Sequence, residues 1–441
     1  MKKIIPVLIL CQVIIKSYGQ ITFQRIYPGG MGNFIQQTSD TGYILTYQNG
    51  ILKLDQNGNI EWVNQNLHGN SIRQTDDGGY ILSGIFYNFL IGDSAATLFK
   101  INQLGDSLWT KFIYDIHGAY GVSAIQSYNG GYAFACFQDG GTFTLAYRLY
   151  GTDSAGNQLW GGDNCGGGGD GWNWYVANGM SMQKTLDNCY ITVCHSEEYT
   201  LSYPYLNIVK TDKNGSNVWF KTYDNYFPNS VSQNADSSYI IGGTGFIMKV
   251  DKNGDSLWVK EFPNYQINDI VENCSGGYLA LEVTNNLINN VTTLLNLDAN
   301  GDTIWTQQIT GLGIATLNML QKTIDNGFIM VGSTEDTTTH LSYLYVLKTD
   351  CQGNTGPLGM ANIPPSGFII YPNPSANTFT INLSLDLINS KLEIFDLLGQ
   401  EVYKSFVYST QQTISTNLND GIYIVKISSN SQQFIKKLFI K

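Results

Sequence analysis

Two stretches of the chain gather the residue types that recognise ligands. The first runs from Asp163-Asn164-Cys165 through four glycines, Gly166 to Gly169, into Asp170-Gly171-Trp172-Asn173-Trp174-Tyr175. The second is His195-Ser196-Glu197-Glu198-Tyr199, which continues to Tyr203-Pro204-Tyr205. Aromatic rings beside carboxylates can stack on a sugar ring or anchor a protein partner. The candidate ligand-binding residues are therefore Asp163, Asp170, Trp172, Trp174, Tyr175, Glu197 and Tyr199. The competing reading is a pair of loops that pack their own aromatics on a scaffold edge. The glycine run does not fit a phosphate cradle, because no Lys follows it and no helix begins there.

Catalytic signatures are absent from the sequence. There is no His-Glu-x-x-His, Gly-x-Ser-x-Gly or P-loop, and four histidines (His68, His117, His195, His340) are scattered. A Ser-His-Asp site assembled in space stays open, since triads are recognised by geometry and not by order. No catalytic residue, metal ligand or cofactor is assigned, and an enzyme is the less favoured reading. Seven cysteines include Cys11 in the N-terminal apolar segment, and the other six form no Cys-x-x-Cys pair. An even count in an exported chain permits disulfides, with small buried thiols as the alternative. A formal charge of −11 argues against nucleic acid, which requires a basic surface. Charged residues are only 13% of the chain, about half the usual share, while Gly (47) and Tyr (28) abound; that balance suits an all-β exported protein.

The elements that would position the two stretches are repeats. Asp251-Lys252-Asn253-Gly254 is followed by Trp258, and the same phrase recurs at Asp55–Trp62, Asp212–Trp219 and Asp298–Trp305. Looser copies stand at Asn102–Trp109 and Asp153–Trp160, and Asp350-Cys351-Gln352-Gly353 lacks its Trp. Asn-Gly tolerates the positive φ of a tight hairpin, and Asp can accept backbone N–H groups two residues on. Calcium is disfavoured there, since these turns lack the further carboxylates of a calcium loop. Upstream of each turn lies an Asp/Gly-rich turn ending in an aromatic, as in Asp77-Gly78-Gly79-Tyr80. Seven such units, each of four short strands with period-two alternation, predict a seven-bladed β-propeller over 20–356. The seventh unit stops short, and Ile21–Tyr27 has the pattern of its missing strand, with Phe23 in the Trp place. The Trp is expected to pack between blades. Both signature turns open on one face, which is constant; the long loops 86–96, 138–145, 195–205 and 334–342, and the connection 161–179, open on the other. Function is expected on that variable face.

Residues 1–19 read as a signal peptide, with Lys2-Lys3, an apolar core and a small-x-small end. No later segment is apolar enough to span a membrane. Residues 357–367, with Pro364-Pro365, form a linker, and 368–441 a small C-terminal β-sandwich. That last domain resembles the type A C-terminal sorting domain of cargo of the Bacteroidetes type IX secretion system. The likeness is carried by Tyr371-Pro372-Asn373-Pro374, by Leu392–Val402 with Gly399, by Gly421 and Tyr423, and by Lys436-Lys437 near the end. It implies export, handling by the type IX machinery, and release or attachment at the outer-membrane surface. The repeats resemble those of pyrroloquinoline-quinone-type propellers. Their chemistry does not carry over, because no two cysteines are adjacent, and sialidase chemistry fails for want of an arginine cluster. The expectation is an exported, non-catalytic binding or adhesion protein whose variable face takes glycan or protein. The alternative is a glycan-acting hydrolase or lyase at the channel mouth.

Overall fold

The computed structural model describes residues 20–88, 93–114, 119–139, 145–165, 172–173, 182–198, 204–284, 291–356, 358–360, 368–371, 373–383, 387–409, 411–428 and 433–441. The signal-peptide reading and Asp170, Trp174, Tyr175, Tyr199 and Pro372 fall outside them.

Each repeat folds into an antiparallel blade. From inner to outer strand, blade 1 is Gly32–Gln37, Tyr43–Tyr47, Gly50–Leu54 and Ile60–Asn64. Blade 2 is Ser71–Gln74, Tyr80–Asn88, Asp93–Ile101 and Ser107–Tyr114. Blade 3 is Ala119–Gln126, Tyr132–Asp139, Leu145–Thr152 and Gln158–Cys165, and blade 4 is Met182–Lys184, Cys189–Glu198, Pro204–Asp212 and Asn217–Asp224. Blades 5 and 6 are joined by long strands. Tyr239–Val250 turns at Gly245 (φ 80°), pairing first with Phe227–Gln233 and then with residues 256–261. Ser256–Glu272 ends blade 5 and, over 265–272, opens blade 6 beside Tyr278–Thr284, Thr292–Leu297 and Thr303–Gln308. Blade 7 is Ile314–Lys322, Phe328–Glu335 and Ser342–Thr349, and its fourth strand is Phe23–Tyr27. The innermost strands touch in a closed cycle, with blade 7 returning to blade 1. The fold is thus a seven-bladed propeller whose ring is closed by the N-terminal strand. Closure removes two free sheet edges. One piece read as linker adds to it, since Leu358–Met360 pairs in parallel with Phe23–Tyr27.

The Asp-x-Asn-Gly turns are tighter in their demands than the sequence implied. Only the glycine takes the left-handed conformation, as at Gly58 (φ 79°) and Gly254 (φ 84°), while the preceding Asn keeps ordinary φ. Gly58 N–H donates to the Asp55 carbonyl (3.1 Å), and Asp55 Oδ1 accepts from the N–H groups of Asn57 and Asn59, both at 2.8 Å. This is a three-residue loop closed by the left-handed glycine, and the ladder slips by one residue just beyond it, between the Leu54–Ile60 and Lys53–Trp62 pairs.

The same glycines have a second duty. A Cβ on Gly105 would sit 2.8 Å from the Trp62 ring, and Gly156, Gly254 and Gly301 stand equally close to Trp109, Trp219 and Trp258 of the preceding blade. Gly58 meets Phe23 in the same way, so Phe23 fills the Trp place of the closing strand. Each ring also meets the signature Tyr of the next blade, as in Trp62–Tyr80 (6.0 Å) and Trp258–Tyr278 (5.9 Å). The repeated Trp is therefore interblade packing, a large apolar area placed where two sheets meet.

A buried polar device accompanies it. Lys53, Lys100, Lys210, Lys249 and Lys348 each reach the Asp of their own blade's signature turn: Asp40, Asp77, Asp187, Asp236 and Asp325. Blades 3 and 6 lack both partners together, with Asn129 and Gly151 in one and Ser275 and Asn296 in the other. A buried charge without its partner is costly, so the pair is present or absent as a unit.

Blade-to-blade clamps line the constant end of the inner ring. Gln74 Oε1 accepts from Ser39 N–H, Gln126 Oε1 from Asp76 N–H, Gln233 Oε1 from Leu186 N–H, Glu272 Oε2 from Ala235 N–H and Gln37 Oε1 from Ile324 N–H. The two remaining boundaries carry Lys184 and Lys322 at this position, and lysine cannot accept. At blades 3 and 4, Lys184 instead stands over the Tyr128 ring (4.7 Å), and Tyr128 Oη donates to the Thr185 carbonyl. At blades 6 and 7, Cys274 and Cys351 form a disulfide between the two signature turns, with Cα atoms 6.1 Å apart.

The C-terminal region forms two sheets packed as a sandwich. One holds Phe368–Tyr371, Thr378–Leu383 and Gln411–Ser415; the other holds Glu401–Phe406, Lys391–Phe395, Gly421–Ser428 and Gln433–Ile440. Alternating residues Phe379, Ile381, Leu392, Ile394, Val425, Ile427 and Leu438 meet in its core.

Candidate functional site

The two ligand-recognition stretches come together on blade 4. Cys189–Glu198 outruns its inner neighbour Met182–Lys184, and the free end of its ladder is taken by Trp172-Asn173. Trp172 lies opposite Glu198 and Asn173 opposite Glu197. Asp163 lies opposite Arg148 in blade 3. Trp172-Asn173 and Glu197-Glu198, read separately in the sequence, thus share one sheet edge of blade 4, while Asp163 stays on the outer strand of blade 3. The boundary between blades 3 and 4 is also one of the two that carry lysine in place of the clamp.

Several residues read as loop are strand. The second and third strands of blade 2 pair as far as Asn88 and Asp93, and those of blade 4 as far as Glu197 and Pro204. His195, expected on the variable loop surface, is 4% exposed and packs on Phe227 with ring centroids 5.3 Å apart. Burial pushes its pKa down to about 4, so it is neutral near pH 7 and serves packing. His340 is exposed, with Nδ1 3.1 Å from Glu335 Oε1.

The central channel holds the charges that the sequence reading missed. Arg73 leaves the inner strand of blade 2, stands over the Phe34 ring of blade 1 (4.8 Å) and donates to the Met182 carbonyl of blade 4 (3.4 Å). Asp269 of blade 6 accepts from Leu320 N–H and Ile270 N–H, both at 2.9 Å. Burial raises the Asp269 pKa to about 6 against the pull of those donors and of Arg73. Burial likewise lowers the Arg73 pKa to about 10, opposed by Asp269. The Leu320 bond repeats at blades 2 and 3, where Ser71 Oγ accepts from Ala124 N–H (3.2 Å). Asp269 thus occupies an interblade bonding position. A charged residue in a short inner strand, such as Arg73 in Ser71–Gln74, was the available sign. Among the described residues, no group of three or more His, Cys, Asp or Glu is placed to hold a metal.

In the C-terminal sandwich the motif residues hold the last strand. Asn373 Oδ1 accepts from Phe439 N–H (2.7 Å), and its Nδ2 donates to the Lys437 carbonyl (2.8 Å). Tyr423 Oη donates to the Asn419 carbonyl (2.8 Å), and Gly399 takes φ 83° in another Asp-led turn. Lys436 and Lys437 lie in the terminal strand Gln433–Ile440.

An all-β propeller followed by a small sandwich defines a modular two-part protein. Residues 369–441 match the family described as the secretion system C-terminal sorting domain. The chain is cargo of the type IX secretion system, secreted or attached at the outer-membrane surface. No helix of the described residues is long and apolar enough to cross a membrane. No curated protein matches the chain. Similar solved structures include a protein of unknown function from Bacteroides caccae (12% identity, 65% of this chain and 94% of that one, TM-score 0.40). They also include the Dos1 propeller (9%, 76% and 80%, 0.49) and puromycin hydrolase (11%, 82% and 60%, 0.47).

Proposed function

We propose that the chain is a non-catalytic binding or adhesion protein of the cell surface, exported through its C-terminal domain, with the variable face of the propeller taking glycan or protein. The observation that carries this reading is the convergence of Trp172-Asn173 and Glu197-Glu198 on one edge. That edge lies on the face where strand lengths differ from blade to blade, while the opposite face repeats the same turns. A rigid frame with one variable surface is the usual arrangement of a binding scaffold. Asp163, Asp170, Trp174, Tyr175 and Tyr199 belong to the same surface in this reading.

The test is a glycan, divalent-cation and surface-protein binding screen on the full mature chain, repeated with Trp172→Ala/Trp174→Ala. Binding lost in the variant locates the ligand on the 161–179 connection. A folded chain that binds nothing, yet cleaves a polysaccharide and stops doing so as Asp269→Asn, would refute the reading in favour of the hydrolase or lyase.

A further inference from the structure

We infer that the overhanging tip of blade 2 is a second docking platform on the variable face, built for an uncharged polysaccharide. The inference rests on the binding reading above and adds a separate site with a stated ligand class.

The tip exists because neighbouring blades differ in height. In blade 1 the second strand turns back at Gln48-Asn49, with Tyr47 opposite Gly50. In blade 2 the equivalent strand starts at Tyr80 and keeps pairing to Asn88 opposite Asp93. Tyr43–Tyr47 is 5 residues long and Tyr80–Asn88 is 9, so blade 2 stands above blade 1 with nothing of that blade to cover it.

The uncovered strand ends are aromatic. Ile85, Phe86, Tyr87 and Phe112 are 45%, 43%, 49% and 42% exposed, and Tyr120 on the inner strand of blade 3 is 40% exposed. Large apolar side chains grouped in this way mark an interaction site on a soluble surface. Phe86 and Phe112 are already ordered against each other, with ring centroids 5.1 Å apart and planes at 61°. Phe86 shares a sheet side with Gly84, where a Cβ would stand 2.7 Å from the His68 carbonyl oxygen. The Phe pair therefore rises over the connection from blade 1, with exposed His68 at its foot. Ile85 and Tyr87 alternate to the other side with Ile81, facing blade 3, while Tyr120 lies on the far side of that blade's inner strand, since Ala119 and Gly121 take the side toward blade 2.

Charge selects the ligand class. Tyr80–Asn88 and Ala119–Gln126 contain no Asp, Glu, Lys or Arg, on a chain of formal charge −11. Lys111 of the neighbouring strand is turned to the constant side, where it donates to Asn157 Oδ1 (3.0 Å). Among the described residues of these strand ends no cation is offered to an acidic saccharide or peptide, and Asp93, opposite Asn88, adds a carboxylate. A neutral sugar can lay its C–H face on a Phe ring and offer hydroxyls to phenols and amides. A stable protein partner covers roughly 800 Å² on each side, and the four exposed side chains of blade 2 are divided between two sides of one narrow tip.

The test uses the full mature chain and calorimetry with cellohexaose, laminarihexaose, mannohexaose, xylohexaose and the acidic hexamer of galacturonate. Variants are Phe86→Ala/Phe112→Ala, Phe86→Ala alone as the milder change, and Trp172→Ala/Trp174→Ala; circular dichroism confirms that each is folded. The expected result is binding of a neutral hexasaccharide, weakened about tenfold or more in the Phe variants and unchanged in the Trp variant. That affinity should be flat between about 50 and 500 mM NaCl. Neutral-sugar binding lost only in the Trp variant overturns this platform and leaves the binding function standing. Preference for the galacturonate hexamer overturns the charge argument and with it the inference. A folded chain that binds none of the five saccharides also overturns it, while the protein arm of the earlier screen decides the broader reading separately.

Discussion

Removing either member of a buried Lys–Asp pair should have unequal consequences, and blade 7 offers the sharpest case. Lys348 Nζ lies 3.0 Å from Asp325 Oδ2, with side chains 1% and 31% exposed. Lys348 also donates to the Thr349 carbonyl (2.9 Å), while Asp325 accepts from Thr323 Oγ1 (2.5 Å) and Gly327 N–H (3.2 Å). Asp325→Asn keeps an acceptor for Thr323 and Gly327 but strands an ammonium group that cannot reach water. The expected cost is about 3 kcal/mol, the lower end for an uncompensated buried charge. Lys348→Met leaves a carboxylate that is partly hydrated and still holds its two other donors, so the expected loss is about 1 kcal/mol. The double variant should lose less than the sum, because its second change removes the stranded charge. Urea unfolding of the full chain and its three variants gives the cycle. Equal costs, the reverse order or simple additivity would refute the reasoning. Lys260→Met is the control: that pair joins blades 5 and 6 with exposures of 34% and 67%, and the expected effect is below about 1 kcal/mol.

Three further outcomes follow from the same structure. Cys274→Ser/Cys351→Ser should lower stability by about 4.5 kcal/mol, the loop-closure value for cross-linking residues 77 apart, read as a urea midpoint shift under non-reducing conditions. Gly301→Ala should destabilise by about 2 kcal/mol or more, since its φ is 80° and the new methyl would meet Trp258 at 2.8 Å; an equally stable variant would show that the turn can shift away. Two opposed pH trends are expected in unfolding free energy. The five paired aspartates have pKa values below the usual range, burial being outweighed by Lys, hydroxyl and backbone donors, so their contribution is present above pH ~4 and lost on acidification through those lowered values. Asp269, raised to about 6 by burial, acts in reverse: the native state holds its proton more tightly, and stability falls as pH rises from ~4 through 6. Buried His195, lowered to about 4, contributes a rise over nearly the same window, so the Asp269 contribution is read as the difference in urea midpoint between the native chain and Asp269→Asn from pH 3.5 to 8, which should shrink as pH rises from ~4 through 6.

Local chemistry wrote much of this fold into the sequence. Asp and Gly at set spacing make bulged turns whatever surrounds them, because side-chain capping and positive φ are short-range effects. Period-two alternation between those turns defines the strands, and the missing last strand of the seventh unit, matched by Ile21–Tyr27 with Phe23 in the Trp place, foretold how the ring closes. The lysine two residues before most of these turns left a sign that the sequence reading did not use, since it disappears from the sequence with its aspartate in blades 3 and 6. Other features depended on distance in space. The Cys274–Cys351 pairing exists because two turns of the constant face abut at one boundary where lysine replaces the glutamine clamp. His195 became core because the blade 4 strands outrun the loop that the sequence implied, carrying its ring against Phe227. The pairing of Trp172-Asn173 with Glu197-Glu198, the meeting of Arg73 with Phe34 and Met182, and the height step that bares Phe86 and Phe112 compare one blade with another. Repeat spacing determines how each blade is made, and only the closed ring decides which of their side chains meet and which are left exposed.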